Sequence, residues 1–144
     1  MYTEMTAKEI TEQLEHIASA VDFIEQSSVL TKAWSSTTVG LEAVEAILRF
    51  MESHPQISFG TPGPLVHFVE RFYGKGYEEE LVSSIQRKPT AQTIWMLNRI
   101  INGAKKADQR KSLIDVMAGA RLNPLADESA LGMANRFLER LSQA

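Results

Sequence analysis

The chain has 144 residues, no cysteine and a formal net charge of −3 at pH 7. A chain of this length can bury a hydrophobic core without covalent staples, so we expect a single domain over residues 1–144. The missing thiols exclude disulfides, thiolate catalysis and zinc sites of the cysteine type.

The N-terminal residues lack the basic patch and the apolar run of a signal peptide, and no later stretch is long enough to span a bilayer. We therefore expect a cytoplasmic protein that has no membrane partner.

Charge is distributed unevenly along the chain. Residues 1–80 contain 13 Asp and Glu against five Lys and Arg, whereas residues 81–144 contain five against ten. An acidic surface repels nucleic-acid phosphates and attracts basic proteins. Because the basic half lacks the usual DNA- or RNA-reading motifs, we expect a basic protein partner and no direct nucleic-acid binding.

The first predicted helix covers residues 7–26. Thr6 and Glu9 form a capping-box pattern, and apolar residues follow at helical spacing. They are Ile10, Leu14, Ile17, Val21 and Ile24. The opposite side of this predicted helix is an acidic stripe, because steps of three and four residues align on a helix. The stripe consists of Glu12, Glu15, Ser19 and Asp22.

Residues 27–38 are rich in Ser and Thr and predict a connection, in which Val29, Leu30 and Trp34 pack against the core. The second predicted helix ends near Ser53, because the residue before Pro55 disfavours helical geometry. The predicted inward residues are Leu41, Val44, Leu48 and Met51, and the predicted outward residues are Glu42, Glu45, Arg49 and Glu52.

Five further helices follow. Residues 59–64 predict a turn before the third helix, and Tyr77 begins a fourth that has Glu78, Glu79 and Glu80 in its first turn. The fifth, residues 91–102, is apolar nearly all round and belongs in the middle of the domain. Asp108 opens the sixth and Asp127 caps the seventh. About seven helices joined by short turns predict an all-α fold of antiparallel pairs, either a bundle or a short array resembling helical repeats.

No catalytic or metal-binding pattern emerges. His16, His54 and His67 are not spaced three or four residues apart, so we expect no metal and no cofactor. Residues 60–63 predict a structural turn, because the Gly-Lys-Ser/Thr ending of a phosphate-binding loop is missing. The carboxylates predict either a solvated helical face or a partner-binding surface. For the second alternative, the candidate residues are Glu12, Glu15, Asp22, Glu42, Glu45, Glu78 and Glu79.

Four segments carry a resemblance to a known class of proteins. They are GTPGPLVHFVE at 60–70, GYEE at 76–79, RKPT at 87–90 and WMLNRIING at 95–103. Together they resemble small all-helical immunity proteins of bacterial polymorphic toxin systems, including contact-dependent growth inhibition. The resemblance implies a cytoplasmic antidote that binds the C-terminal domain of a toxin and covers its active or substrate-binding surface. Such toxins are often nucleases with basic substrate grooves, which would fit the acidic first half.

Two other functions remain open. The first is a helical-repeat adaptor or regulatory subunit without a toxin partner. The second is an enzyme that uses His67 with Glu70 or Glu78, which requires a deep pocket and a carboxylate within hydrogen-bonding distance of the imidazole. We expect that the protein is not an enzyme.

Overall fold

The structure is a computed structural model that describes residues 4–143. All regular structure in this range is helical, apart from an isolated parallel bridge between Glu4 and Thr38, which confirms the all-α prediction. The described residues form eight helices, one more than predicted: α1 (Ala7–Ile17), α2 (Phe23–Ser35), α3 (Glu42–Ser53), α4 (Gly63–Glu70), α5 (Tyr77–Arg87), α6 (Ala91–Gly103), α7 (Ala107–Ala120) and α8 (Glu128–Ser142).

The chain divides into two compact units. Unit 1 is residues 1–80 and unit 2 is residues 81–144, so the boundary falls within α5. The same boundary separates the acidic from the basic half of the sequence, because 13 of the 18 Asp and Glu lie in unit 1 and ten of the 15 Lys and Arg lie in unit 2. The single domain over residues 1–144 stays a prediction.

Helix α1 begins as predicted and ends early. The backbone N–H of Glu9 donates to Thr6 Oγ1 (3.2 Å), and the N–H of Thr6 donates to Glu9 Oε1 (3.3 Å). Both bonds of the predicted capping box therefore form. The helix ends at Ile17, and the N–H of Ala20 donates to the Ile17 carbonyl oxygen (2.9 Å) in the turn that follows. The prediction of one helix over residues 7–26 is wrong.

The burial of Phe23 explains this early end. In a continuous helix Phe23 would lie opposite Ile10, because about three and a half turns separate the two residues. The break instead buries Phe23, whose ring lies 6.0 Å from that of Phe50 and 5.6 Å from that of Phe59, centroid to centroid. An aromatic ring contributes more apolar area than a valine. Val21, predicted to be buried, is fully exposed, and Ile24 is 40% exposed.

Helix α2 replaces most of the predicted connection at residues 27–38. Its buried side consists of Phe23, Ser27, Thr31 and Trp34, at helical spacing. The buried hydroxyls form hydrogen bonds with the backbone of α2 itself. Ser27 donates to the Ile24 carbonyl oxygen (2.8 Å), and Thr31 donates to the Ser28 carbonyl oxygen (3.1 Å). Ser and Thr can therefore lie on the buried side of a helix, although their abundance at residues 27–38 predicted a connection. Trp34 is buried as predicted, whereas Val29 is exposed.

Helix α3 is buried on most of its surface. The four predicted inward residues include Val44, Leu48 and Met51, all of which are fully buried, whereas Leu41 immediately precedes the helix and is partly exposed. Glu52, predicted to face outward, is only 8% exposed. That prediction is wrong because α3 is enclosed on more sides than a surface helix.

Helices α1 and α3 pack side by side and run in the same direction. Near their starts, the N–H of Met5 donates to the Thr38 carbonyl oxygen (3.0 Å). At their ends, His54 Nε2 lies 2.8 Å from Glu15 Oε1. These two contacts fix the direction of the pair, and both helices pack on the core of unit 1.

The turn before α4 depends on a glycine. Gly60 has φ +96°, and a Cβ at this position would lie 2.7 Å from the Cα of Gly63. Only glycine fits such a backbone without strain. Phe59 is buried just before the turn, and α4 buries Leu65 and Phe68 just after it. The turn thus joins two segments of the core. Residues 60–63 form a turn, as the sequence predicted.

In unit 2, α6, α7 and α8 all pack on one another, and the position of α6 in the middle of a single domain stays a prediction. The N–H of Thr93 donates to Thr90 Oγ1 (3.1 Å) at the start of α6. The buried residues of α6 are Thr93, Ile94, Met96, Leu97, Ile100 and Ile101. Asp127 caps α8 by accepting from the N–H of Ala130 (2.8 Å), as predicted. Asp108, predicted to open the sixth helix, lies within the first turn of α7, whose N-terminal flanking residue is Lys106.

Candidate partner-binding surface

Four of the candidate carboxylates belong to the parallel pair of helices α1 and α3. Glu12 and Glu15 lie on α1, and Glu42 and Glu45 lie on the first turn of α3. Glu12, Glu15 and Glu42 are exposed and Glu45 is half-buried, as the outward positions predicted. We call these four residues the acidic face; Glu42 and Glu45 lie where α3 begins, and Glu15 lies near His54, where α3 ends.

Two of these four carboxylates have a basic neighbour. Arg49 Nη2 lies 3.6 Å from Glu45 Oε1 one helical turn away. His54 Nε2 lies 2.8 Å from Glu15 Oε1, and its ring packs on Phe50 with the centroids 4.4 Å apart. Within residues 4–143, Glu12 and Glu42 make no ion pair shorter than 4 Å, so their charges face solvent uncompensated at close range.

Asp22 does not continue the predicted acidic stripe. Because α1 ends at Ile17, Ser19 and Asp22 lie in the turn between α1 and α2 and not on the helix that carries Glu12 and Glu15. Asp22 Oδ1 accepts a hydrogen bond from Gln26 Nε2 (2.8 Å) on the first turns of α2. Asp22 is exposed at the start of α2.

Glu78 and Glu79 lie in the first turn of α5 as predicted, in different environments. Both carboxylate oxygens of Glu78 accept from the backbone N–H of Gly74, each at 3.1 Å. Glu78 is therefore half-buried and holds the preceding turn in place. Glu79 is exposed and its carboxylate faces solvent.

A groove between α2 and α4 contains His67. It has a volume of about 440 Å³ and is also lined by Lys32, Ser35, Phe68 and Arg71. Arg71 Nη1 donates to Ser35 Oγ (2.8 Å), and its guanidinium carbon lies 5.2 Å from the centroid of the Phe68 ring. This basic cluster could not be foreseen from the sequence, because it forms only where α2, which carries Lys32, packs on α4, which Arg71 directly follows.

His67 itself does not fit an acid–base pair. Its side chain is 65% exposed, and Nδ1 lies 3.8 Å from Glu70 Oε1, which is longer than a hydrogen bond. The groove is an open depression in the surface and not the deep pocket that the enzyme hypothesis requires. The geometry of His67 gives that hypothesis no support.

Exposed apolar side chains are a second feature that sequence reasoning missed. In unit 1, Val21 and Ile24 line an open groove of about 390 Å³ at the turn between α1 and α2. In unit 2, Leu122 (86% exposed) and Leu125 lie beside a groove of about 750 Å³ between α5 and the end of α7. The periodicity assigned Val21 and Ile24 to a core seam, and only the break at Ile17 turns them outward.

Within the described range, no three His, Asp or Glu side chains come close enough together to hold a metal ion. None of the helices in residues 4–143 has the length and apolar character needed to cross a membrane. Comparison of the chain with protein-family models, with curated proteins and with solved structures finds no match.

Proposed function

We propose that this chain is an immunity protein that binds a cognate toxin domain in the cytoplasm and neutralises it by covering its active or substrate-binding surface. The toxin is a nuclease whose substrate groove is basic. The observation that carries the proposal is the acidic face, which presents four carboxylates on two adjacent helices of a unit that contains 13 carboxylates and five Lys and Arg.

Electrostatics gives this surface its role. Charges of one sign on one partner attract a partner of the opposite sign over about a Debye length and raise the association rate. Glu12 and Glu42 contribute most directly, because neither has an ion-pair partner within the described residues. Inhibition by occlusion requires no catalytic group, so the exposed position of His67 is compatible with it.

We also propose that successive helices pack as antiparallel pairs. Such an array presents helical faces side by side, as a surface that covers a groove requires. A helical-repeat adaptor would share this architecture, and the identity of the partner distinguishes the two. An immunity protein binds the C-terminal domain of a large toxin encoded next to it and protects cells from that domain, whereas an adaptor does neither.

The test is an association-rate measurement with that toxin domain. Glu42→Lys/Glu45→Lys reverses two charges of the acidic face, and Glu128→Lys/Glu139→Lys is the matched control, because it makes the same change on exposed positions of α8 in unit 2. We expect the first variant to slow association about tenfold or more at low salt and to weaken its salt dependence.

The control variant should slow association less than the acidic-face variant. Thermal unfolding of both variants establishes that they are folded. Equal association rates for the two variants would exclude the acidic face as the docking surface. Failure of the neighbouring toxin domain to bind the unmodified protein would exclude the immunity function.

A further inference from the structure

The turn between α1 and α2 presents an apolar surface to solvent. Val21 is fully exposed, Ile24 is 40% exposed, and Ile57 lines the same groove of about 390 Å³. The folded chain gains nothing from leaving Val21 in water, because exposed aliphatic area is unfavourable. Single exposed apolar residues are common, but here two of them share one groove with a third.

Two acidic side chains lie beside this apolar surface. Asp22 and Glu25 are exposed, and both line the groove together with Val21 and Ile24. The described residues that line it include no Lys and no Arg. Protein-binding sites combine apolar contacts, which supply most of the affinity once buried, with charged side chains beside them.

We infer that Val21 and Ile24 form the apolar anchor of the partner interface, and that the anchor accepts a basic protein surface on which an apolar side chain is flanked by Lys or Arg. Charge complementarity selects this occupant, because the carboxylates of Asp22 and Glu25 would repel an acidic surface and pair with a basic one. The inference rests on the proposed function for the identity of the partner, but not for the chemistry of the surface.

The break in the predicted first helix is what creates the anchor. A continuous helix would have buried Val21 and Ile24 in its apolar seam. In the structure Phe23 is buried instead, and its neighbours Val21 and Ile24 are exposed. The acidic face then attracts the partner at a distance, and the anchor contributes apolar area that is buried only once the partner has docked. The first affects the association rate, and the second affects the dissociation rate.

Two peptides test the chemistry of the surface without knowledge of the toxin. Both are helical, of equal length and with equal numbers of lysines; one has leucines on its second face and the other has serines there. Titration into ¹⁵N-labelled protein should move the amide signals of residues 18–25 and 57–58 with the leucine peptide. The leucine peptide should also bind about tenfold more tightly than the serine peptide.

Val21→Ser should abolish the difference between the two peptides. Leu122→Ser is the matched control, because Leu122 is an exposed apolar residue of unit 2, and it should leave the difference intact. Equal binding of the two peptides, signal changes that avoid residues 18–25, or equal effects of the two substitutions would overturn the inference.

The toxin domain supplies the second measurement. In the complex, Val21→Ser should raise the dissociation rate about tenfold and leave the association rate almost unchanged, and Leu122→Ser should change neither. A complex whose dissociation rate does not respond to Val21→Ser would overturn the anchor and leave the immunity function standing. If the leucine peptide bound at residues 18–25 but the toxin domain did not bind at all, the anchor would stand and the immunity function would be excluded.

Discussion

The indole N–H of Trp34 donates to Oε1 of Gln13 across 2.7 Å, and this hydrogen bond joins α2 to α1. Trp34 is fully buried, and its ring meets that of Phe68 on α4 edge to face at 5.4 Å between centroids. One side chain thereby connects three helices of unit 1. Its N–H has no access to water, so its satisfaction depends on the Gln13 carbonyl.

Gln13→Ala should lower the free energy of unfolding by about 1–3 kcal/mol, because a buried donor without an acceptor keeps its full desolvation cost. Gln13→Glu retains an acceptor and should cost less. Gln109→Ala, at an exposed position of α7, is the control for the change in side chain alone. Urea denaturation measures all three, and equal losses for Gln13→Ala and Gln109→Ala would contradict the role of the hydrogen bond.

A second prediction follows from the break after Ile17 and compares the effects of Phe23→Ala and Val21→Ala on stability. Phe23→Ala should lower the free energy of unfolding by about 3–5 kcal/mol, because it removes a buried ring that packs on Phe50 and Phe59. Val21→Ala should leave the midpoint of chemical denaturation unchanged. A helix continuous to residue 26 would reverse this order, so one pair of denaturation curves distinguishes the two structures.

Most helices could be predicted because their signals are local. Asp127 caps α8 as expected, and most apolar residues of α6 are buried, as their all-round distribution indicated. The failure at α1 and α2 has a non-local cause. Phe23 is buried only because Phe50 and Phe59 meet it, and the periodicity of residues 10–24 contains no information about those partners.

The candidate site divides in the same way. Exposure of Glu12 and Glu42 follows from helical periodicity and was predictable. The hydrogen bonds from Gly74 to Glu78 and the buried state of Glu52 depend on a turn and on the packing around α3. Exposure of Val21 was the reverse of what its spacing indicated. The apolar anchor could therefore be recognised only from the structure.

A third prediction concerns the turn before α5. Gly76 has φ +111°, and a Cβ there would lie 2.6 Å from Cδ2 of Leu41. Gly76→Ala should cost about 2–4 kcal/mol, because backbone strain is added to displacement of the Leu41 side chain. Gly74 has φ +73° and open space around its Cα, so Gly74→Ala should cost only about 1–2 kcal/mol.

The difference between these two alanine variants measures the contact with Leu41. Leu41→Ala should remove the obstacle, so the cost of Gly76→Ala should fall toward that of Gly74→Ala when it is measured in the Leu41→Ala background. Thermal or urea denaturation of Gly74→Ala, Gly76→Ala, Leu41→Ala and Gly76→Ala/Leu41→Ala provides this comparison. A cost of Gly76→Ala that stays the same in both backgrounds would show that strain alone is responsible.

The last prediction separates the field of the acidic face from its individual ion pair. Glu42→Gln/Glu45→Gln removes two negative charges, whereas Glu45→Gln/Arg49→Gln removes the pair whose atoms lie 3.6 Å apart and leaves the net charge unchanged. Steering depends on the summed charge of the surface that faces the partner, and the second variant leaves that sum unchanged because Glu45 and Arg49 lie one helical turn apart. At low salt the first variant should therefore slow association with the toxin domain about threefold to tenfold, while the second should leave the rate almost unchanged.

Stopped-flow association over a series of salt concentrations tests both variants. Their rates should converge with that of the unmodified protein as the Debye length shrinks at high salt. Loss of the Glu45–Arg49 pair should lower stability by only about 0.2–0.5 kcal/mol, so unfolding does not complicate the comparison. If the charge-neutral variant slowed association as much as the other, the partner would contact Glu45 or Arg49 directly, and the acidic face would act by contact instead of by its field.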